Sequence, residues 1–164
     1  MMTDAERFDQ NARSRGILID TNLFVLLIVG LVNRDRIPAF KRTSNYTSAD
    51  WDLLVGLIEH IPLRYAIAHV LAEANTLTDM KGEERVIARE MLHRVIAITE
   101  EVHIPSVEAC ASPYYWRLGL TDAAIGLAAR KCGCSILTND SDLYIALMED
   151  GASVLNFDHL RAML

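Results

Sequence analysis

Short apolar segments alternate with helical patterns along the chain, and this alternation restricts the fold more than any other feature of the sequence. The last third shows it most clearly, because a predicted strand at 135–138 lies between an alanine-rich helix over 121–132 and a helix over 141–150. A further strand at 153–155 and a terminal helix over 157–164 complete the series. Strands that alternate with helices at this spacing form βαβ units with parallel strands. The sequence therefore predicts an α/β fold, with a mostly parallel central sheet flanked by helices.

The first two thirds of the chain continue this pattern less regularly. Ile17–Asp20 is typical of a short buried strand that ends in an acid, and Asn22 is expected to cap a helix over Leu23–Val32. That helix is apolar on every side, so it must be buried in a core or against another chain. Further helices are expected over 47–60, 70–77 and 83–99, with a strand at 101–104 and either a strand or a helix lead at 64–68. The helix over 83–99 carries one apolar stripe that is expected to face the core: Ile87, Met91, Val95 and Ile98.

The size and composition of the chain fit one globular domain. Of its 164 residues, 51% are hydrophobic and 23% are charged, which is enough apolar material for one sizeable core. Residues 1–15 are polar and lack periodicity, so we expect a loose, flexible arm ahead of a domain over 16–164. The longest apolar run, Leu23–Val32, is too short to span a bilayer. Three cysteines, an odd number, argue against a disulfide framework, and we expect a soluble protein of the cytoplasm.

Four acids occupy positions where carboxylates are not usually found. Asp20 ends an apolar strand, and Asp140 lies two residues beyond the strand at 135–138. Both positions suit a ligand site, because ligands of open parallel sheets bind beyond the carboxyl ends of the strands. Glu73 lies beside the apolar stripe of its helix, and Asp122 lies in the first turn of the alanine-rich helix. Each acid alone also has a structural interpretation. Asp20 and Asp140 could cap the helices that follow them. Glu73 could reach a buried arginine, and Asp122 could be an ordinary acid of a helix N-terminus.

Convergence of the four carboxylates at one sheet edge would raise some of their pKa values, because like charges disfavour ionisation. No run of Lys or Arg interleaves with these acids, so a hard divalent cation is the natural partner. Mg²⁺ or Mn²⁺ suits a carboxylate site that lacks His and Cys ligands. Such a site can activate water and stabilise the charge that develops in phosphodiester cleavage. The net charge of −6 excludes a protein that coats nucleic acid by bulk attraction, but it does not exclude a nucleic-acid enzyme that recruits metal ions to an acidic cleft.

The four acids lie in motifs that resemble those of the PIN-domain nucleases, over about 16–157. The acids are 53, 49 and 18 residues apart, and the motifs are Ile-Leu-Ile-Asp20-Thr-Asn22, Val-Leu-Ala-Glu73-Ala-Asn, Leu-Thr-Asp122-Ala-Ala-Ile and Leu-Thr-Asn-Asp140-Ser-Asp142-Leu. The resemblance implies a single three-layer PIN-like domain and cleavage of RNA by an attacking water. It also implies that one quartet both binds Mg²⁺ or Mn²⁺ and acts in catalysis: Asp20, Glu73, Asp122 and Asp140. Asn22 and Thr138 match polar positions that steady the site. Asp142 could assist a second metal or only cap its helix.

The resemblance also bears on partners. Many bacterial members are VapC-type toxins of toxin–antitoxin pairs, and the small size, single domain and apolar first helix suit that subgroup. It therefore implies an RNA substrate and an antitoxin partner. The apolar helix leads us to expect a homodimer, or a groove that holds a segment of the antitoxin. A stand-alone RNA-processing nuclease and a non-catalytic PIN-like interaction module are the alternatives. A phosphatase of the haloacid-dehalogenase type ranks lower, because that chemistry needs a second acid two residues after the first, where this chain has Asn22.

Two further features leave alternatives open. Residues 34–42 carry four cations against one acid, a charge of +3, and this predicts either a contact with RNA phosphates or a solvated loop. The aromatic cluster Tyr114–Trp116 lies just ahead of Asp122 and predicts either base stacking or packing in a core or interface.

Overall fold

The computed structural model describes residues 1–163 of the chain. Helices and strands alternate through this region, as the sequence pattern predicts. In chain order they are α1 (Asp4–Arg15), β1 (Ile17–Ile19), α2 (Thr21–Val32), a 3₁₀ helix (Arg34–Ala39), α3 (Ser48–Glu59), β2 (Arg64–Ala66), α4 (Ala68–Leu77), α5 (Glu83–Ala97), β3 (Glu100–Glu101), α6 (Ser106–Ala111), α7 (Tyr115–Leu118), α8 (Leu120–Cys132), β4 (Ser135–Thr138), α9 (Ser141–Glu149), β5 (Val154–Asn156) and α10 (Phe157–Arg161).

The five strands form one parallel sheet in the order β3-β2-β1-β4-β5. The central strand β1 is fully buried, and it pairs Ile17 with Arg64 on one side and with Ser135 on the other. The chain moves outward in opposite directions from β1, so the junction of β1 and β4 is the switch point at which such sheets bind ligands. The predicted fold class, a three-layer α/β domain with a parallel central sheet, is confirmed and is consistent with a PIN-like fold.

Helix α2 forms the centre of the hydrophobic core. Its residues from Leu23 to Gly30 are buried, and α3, α4, α5 and the 3₁₀ helix pack around them. Trp51 of α3 lies against Gly30 and donates a hydrogen bond from Nε1 to the Leu27 carbonyl at 3.1 Å. The chain itself therefore covers most of this apolar helix. Leu31, near its end, is 38% exposed. The homodimer is expected on the ground that this helix needs a second chain to cover it. Helices of the same chain cover it instead, so this ground does not hold, and the homodimer stays a prediction.

The N-terminal residues form helix α1 rather than the loose arm expected over 1–15. Thr3 begins the helix with a capping box that it shares with Glu6. Phe8 and Ala12, four residues apart, are both buried. The Asn11 amide donates hydrogen bonds to the Gly133 carbonyl at 3.1 Å and to Ser135 Oγ at 2.9 Å. The expectation is wrong because one helical turn of apolar contacts, with side-chain hydrogen bonds to β4, is enough to dock a helix whose sequence is otherwise polar.

Two helix predictions in the middle of the chain need correction. Helix α2 begins at Thr21 and is capped by Asp20, not by Asn22. Helix α5 buries Ala88 and Leu92, whereas Ile98, predicted to face the core, is 66% exposed just beyond the helix. The helix expected over 47–60, by contrast, is present as α3, which begins with a capping box of Thr47 and Asp50.

The other boundaries agree with the sequence pattern at some positions and differ from it at others. Gly133 ends α8 in the left-handed conformation, as its position after the alanine-rich helix predicts. Strand β3 is shorter and earlier than the strand expected at 101–104, and α6 and α7 were not predicted. The terminal helix ends at Arg161, and the last residue of its predicted range, 164, lies outside the described residues. Among the helices of residues 1–163, none combines the length and the apolar character needed to cross a membrane.

Candidate active site

A cavity of about 270 Å³ lies at the switch point of the sheet, beyond the ends of β1 and β4. All four of the acids singled out in the sequence line it, and two further residues of the first motif do so as well. The lining residues are Asp20, Thr21, Asn22, Glu73, Leu118, Leu120, Thr121, Asp122 and Asp140. Two larger grooves, of about 650 and 460 Å³, run along α1, but one acid lines each of them. The fold therefore brings together at one place four acids that the sequence separates widely.

Asp20 is the most firmly held of the four acids. It caps α2, because its Oδ1 accepts a hydrogen bond from the Leu23 backbone N–H at 3.0 Å. Its Oδ2 accepts hydrogen bonds from the Thr138 hydroxyl and from the Asn139 backbone N–H, the latter at 2.9 Å. The side chain is buried, and this burial raises the pKa of Asp20 although its hydrogen bonds oppose the shift.

Asp140 caps the next helix in the same way. Its Oδ1 accepts a hydrogen bond from the Leu143 backbone N–H at 2.9 Å, and its own backbone N–H donates to Thr138 Oγ1 at 2.9 Å. The structural interpretation of Asp20 and Asp140 as helix caps is thus correct. For Asp140 this does not compete with a role in the cavity, because the cap uses one carboxylate oxygen and leaves Oδ2 without a hydrogen bond from residues 1–163. Both oxygens of Asp20, by contrast, accept hydrogen bonds.

Glu73 and Asp122 face the cavity from the other side. Glu73 Oε2 accepts a hydrogen bond from the Thr21 hydroxyl at 3.2 Å, in place of the buried arginine that was one alternative. Asp122 lies in the first turn of α8, and no residue within 1–163 donates a hydrogen bond to its carboxylate. Burial raises the pKa of Asp122 to about 7, and the other three carboxylates of the cavity add to this effect. The upward shift is in the direction that the sequence predicts, but burial contributes more to it than the repulsion between carboxylates does.

The donor set of the cavity suits a hard cation. It consists of carboxylate oxygens with hydroxyl and amide neighbours, without histidine or cysteine, and Mg²⁺ and Mn²⁺ prefer such ligands. No Lys or Arg is among the lining residues that the structure describes, so a bound cation would offset the mutual repulsion of the four carboxylates. Within residues 1–163, however, no three acidic, histidine or cysteine side chains close on a single point as a finished metal site does. The chemistry of the residues fits the ion, while their side-chain positions do not form a preassembled cage.

A chain of polar contacts that the sequence did not reveal holds one rim of the cavity. The Asn22 amide donates to Asn139 Oδ1 at 3.3 Å, and the Asn139 amide donates to the Tyr46 hydroxyl at 2.5 Å. Tyr46 is buried, and both this burial and the charge of Asp20 raise its pKa. Asn139 could have been noticed from its place beside Asp140, whereas nothing in the local sequence marks Tyr46. The long connection after α2 therefore packs back against the site.

Asp142 lies apart from the cavity that the other acids share. It is exposed in the first turn of α9 and does not line the cavity, while Asp140 is the residue that caps the helix. A part in binding a second metal therefore has no support from its position.

The basic segment 34–42 is partly neutralised by its own chain. Arg34 pairs with Asp52 at 2.5 Å and Arg36 pairs with Glu84 at 3.0 Å, whereas Lys41 is exposed. Two of its four cations are thus engaged in ion pairs, which favours the solvated-loop interpretation for this half of the segment.

Comparison of the chain with protein-family models, with curated proteins and with solved structures finds no match.

Proposed function

We propose that this protein is a Mg²⁺- or Mn²⁺-dependent endoribonuclease that hydrolyses RNA phosphodiester bonds at the four-carboxylate cavity. One observation carries the proposal: Asp20, Glu73, Asp122 and Asp140, from four separate parts of the chain, line one cavity at the switch point of a parallel sheet. The resemblance of the surrounding motifs to those of PIN-domain nucleases supports RNA as the substrate.

The oxygens that are free of hydrogen bonds are the natural ligands for the ion. Asp122 offers both of its carboxylate oxygens, and Asp140 and Glu73 each offer one. Asp20 accepts three hydrogen bonds and gives the site a fixed edge. A bound divalent ion supplies a water of lowered pKa and positive charge beside the scissile phosphate.

Asp122 is the acid whose charge a bound cation would change most. Burial and the other three carboxylates raise its pKa to about 7, and a divalent ion at its oxygens would offset this effect and keep the carboxylate ionised. In the proposed reaction Asp122 would be held as a ligand of the ion, which would orient the attacking water towards phosphorus. Leu118 and Leu120 line the same cavity and exclude bulk water from part of it.

The direct test is cleavage of total cellular RNA with Mg²⁺ or Mn²⁺. The wild-type chain is compared with Asp122→Asn and with Glu83→Gln, which removes an acid from the first turn of α5 that does not line the cavity. We expect discrete fragments from the wild type and from Glu83→Gln, and none from Asp122→Asn or with a chelator. Fragments that persist with both Asp122→Asn and the chelator contradict the proposal.

A non-catalytic interaction module is the second candidate. It is favoured by the capping hydrogen bonds of Asp20 and Asp140 and by the absence, within residues 1–163, of a preassembled metal cage. Binding of Mn²⁺, measured by calorimetry, separates the two. The nuclease requires saturable binding that Asp122→Asn abolishes, whereas a module whose acids serve only as caps shows none.

The proposed biological role is that of the toxin in a type II toxin–antitoxin pair, acting in the cytoplasm as a homodimer and inhibited by an antitoxin protein. This role rests on the resemblance to VapC-type toxins. A stand-alone RNA-processing nuclease shares the chemistry. Induced expression distinguishes the two roles, since the toxin arrests growth in an Asp122-dependent manner and a processing enzyme does not.

A further inference from the structure

The aromatic cluster ahead of Asp122 divides into two parts with opposite environments. Tyr114 is 7% exposed, packs its ring against Gly126 and donates its hydroxyl hydrogen bond to Asp150. Trp116 is 88% exposed. Packing in the core therefore holds for Tyr114 and not for Trp116, whose large apolar ring the described residues of the chain leave exposed.

Trp116 stands beside the acidic cavity. It belongs to α7, and Leu118, two residues further along that helix, lines the cavity. Leu120 and Thr121, at the start of α8, line it as well, so α7 and the start of α8 form one wall. Trp116 and Leu118 are about 3 Å apart along the helix axis but point to nearly opposite sides of α7, so the Trp116 ring projects from the outer side of the wall whose inner side Leu118 provides. An RNA strand that leaves the cavity over this wall would pass the ring.

The surroundings of the ring suit a flat aromatic ligand. Tyr115 braces Trp116 edge-on, with the ring centroids 5.2 Å apart and the planes at 72°. Arg117 follows directly, and half of its side chain is exposed. Its guanidinium lies 3.7 Å from the Glu149 carboxylate, which is too long for a hydrogen bond, so the guanidinium is loosely held. An exposed aromatic ring with an adjacent cation is the combination by which proteins bind single-stranded nucleic acid.

We propose that Trp116 is a stacking platform for a nucleobase of the RNA strand whose phosphodiester bond is cut in the adjacent cavity. The inference rests on the proposed function and adds the residue that positions the strand. A protein partner is the less favoured occupant, because a stable protein interface buries about 800 Å² on each partner. A single ring beside a polar, acidic cavity offers much less apolar surface than that.

Binding of a 12-nucleotide single-stranded RNA of mixed sequence tests this proposal. The measurements use the Asp122→Asn chain with Mg²⁺, so that the RNA stays intact, and read affinity from the anisotropy of labelled RNA. Trp116→Ala should weaken binding about 5- to 100-fold, the usual effect of losing one stacked base. Trp116→Phe, which keeps a stacking face, should stay within a few-fold. Val86→Ala, which trims another strongly exposed apolar side chain, is the matched control and should leave affinity unchanged.

Two further readouts assign the effect to the base. RNA should quench the tryptophan emission of the Asp122→Asn chain. The part of this quenching that is due to Trp116 should be absent when the chain also carries Trp116→Phe, in which Trp51 is the remaining tryptophan. An abasic sugar–phosphate strand of the same length should bind with equal affinity whether or not the chain also carries Trp116→Ala, since that strand has no base to stack.

Several outcomes overturn the stacking proposal. Equal RNA affinity with and without Trp116, alongside Asp122-dependent cleavage, removes the stacking role and leaves the nuclease intact. Absence of both RNA binding and cleavage removes both proposals. A shift of the Trp116 emission to shorter wavelength as protein concentration rises, without RNA, shows that a second copy of the chain covers the ring instead.

Discussion

The hydroxyl of Thr138 donates a hydrogen bond to Asp20 Oδ2, and this contact joins the ends of the two central strands β1 and β4. The same hydroxyl accepts a hydrogen bond from the Asp140 backbone N–H at 2.9 Å. One buried side chain thus fixes the relative positions of two of the four cavity acids, 120 residues apart in the chain.

Replacing Thr138 with Val should lower both stability and activity. The substitution keeps the shape of the side chain but leaves the buried Asp20 with one hydrogen bond fewer and the Asp140 N–H without its partner. Each lost bond of this kind costs about 1–3 kcal/mol when the other group stays buried. The free energy of unfolding, measured in urea, should therefore fall by that order. Thr138→Ser keeps the hydroxyl and should lose much less, and equal losses for both variants contradict the assignment.

Chain direction alone predicts two of the four cavity acids. Asp20 follows β1 directly and Asp140 lies two residues beyond β4, and because these strands are parallel neighbours the convergence of the two acids follows from topology. The resemblance of the motifs adds Glu73 and Asp122, which helices bring from further away. Periodicity alone locates most helices here, since their apolar faces and caps are local features.

The features that the sequence missed depend on contacts between distant segments. Tyr46 reaches the site because the connection after α2 folds back onto Asn139, and no local pattern encodes that path. Helix α1 is polar by composition, and its docking depends on Asn11 meeting Ser135 across 124 residues. The exposure of Trp116 likewise depends on how α7 is placed, because its neighbour Tyr114 is buried. Tertiary placement, rather than propensity, decides all three.

The raised pKa of Asp122 predicts a pH-dependent stability. Its ordinary value is 3.8 and its value in the folded protein is about 7, so the folded state holds the proton over a range in which the unfolded chain has released it. Stability should therefore fall as pH rises from about 4 to about 7 and stay level above that. Asp122→Asn removes this dependence, and its melting temperature should gain on the wild type as pH increases from 5 to 8.

Divalent ions and a control variant complete this test. Mn²⁺ at pH 8 should raise the melting temperature of the wild type, because a bound cation offsets the carboxylate repulsion, and it should not raise that of Asp122→Asn. Glu83→Gln, which alters an exposed first-turn acid, should follow the wild-type pH profile. Parallel profiles for wild type and Asp122→Asn across pH 5–8 contradict the assigned pKa.

Arg161 should contribute more to stability than a surface arginine does. It holds the half-buried junction of α10 and α3 through two hydrogen bonds to Asp50, at 2.9 and 3.1 Å, and a third to the Asn45 carbonyl at 2.7 Å. Burial alone would raise the pKa of Asp50, but the hydrogen bonds from Arg161 and Thr47 lower it. This contribution is therefore present above the ordinary pKa of an aspartate and is lost as pH falls through the lowered value.

Arg161→Met should lower the free energy of unfolding by about 1–3 kcal/mol at pH 7, as expected for hydrogen bonds to a charged group. The difference from wild type should shrink on acidification below pH 4. Arg13→Met, which breaks an exposed ion pair with Asp9 of similar length, is the matched control and should cost less than about 1 kcal/mol. If the two variants lose similar amounts of unfolding free energy, the ion pair of Arg161 with Asp50 contributes no more than an exposed surface pair does.

Two helical glycines in neighbouring helices should respond oppositely to alanine. A Cβ on Gly30 of α2 would overlap the Trp51 indole, which already donates its hydrogen bond to Leu27, so the ring has little room to move. Overpacking of this kind costs about 1–3 kcal/mol, so Gly30→Ala should lower the urea midpoint. Gly56 of α3 has nothing within 4 Å of the same position, and Gly56→Ala should raise stability by about 0.5–1 kcal/mol through helix propensity. Because the two substitutions are chemically identical, a common sign for both would show that the contact between α2 and Trp51 does not set the packing of the core.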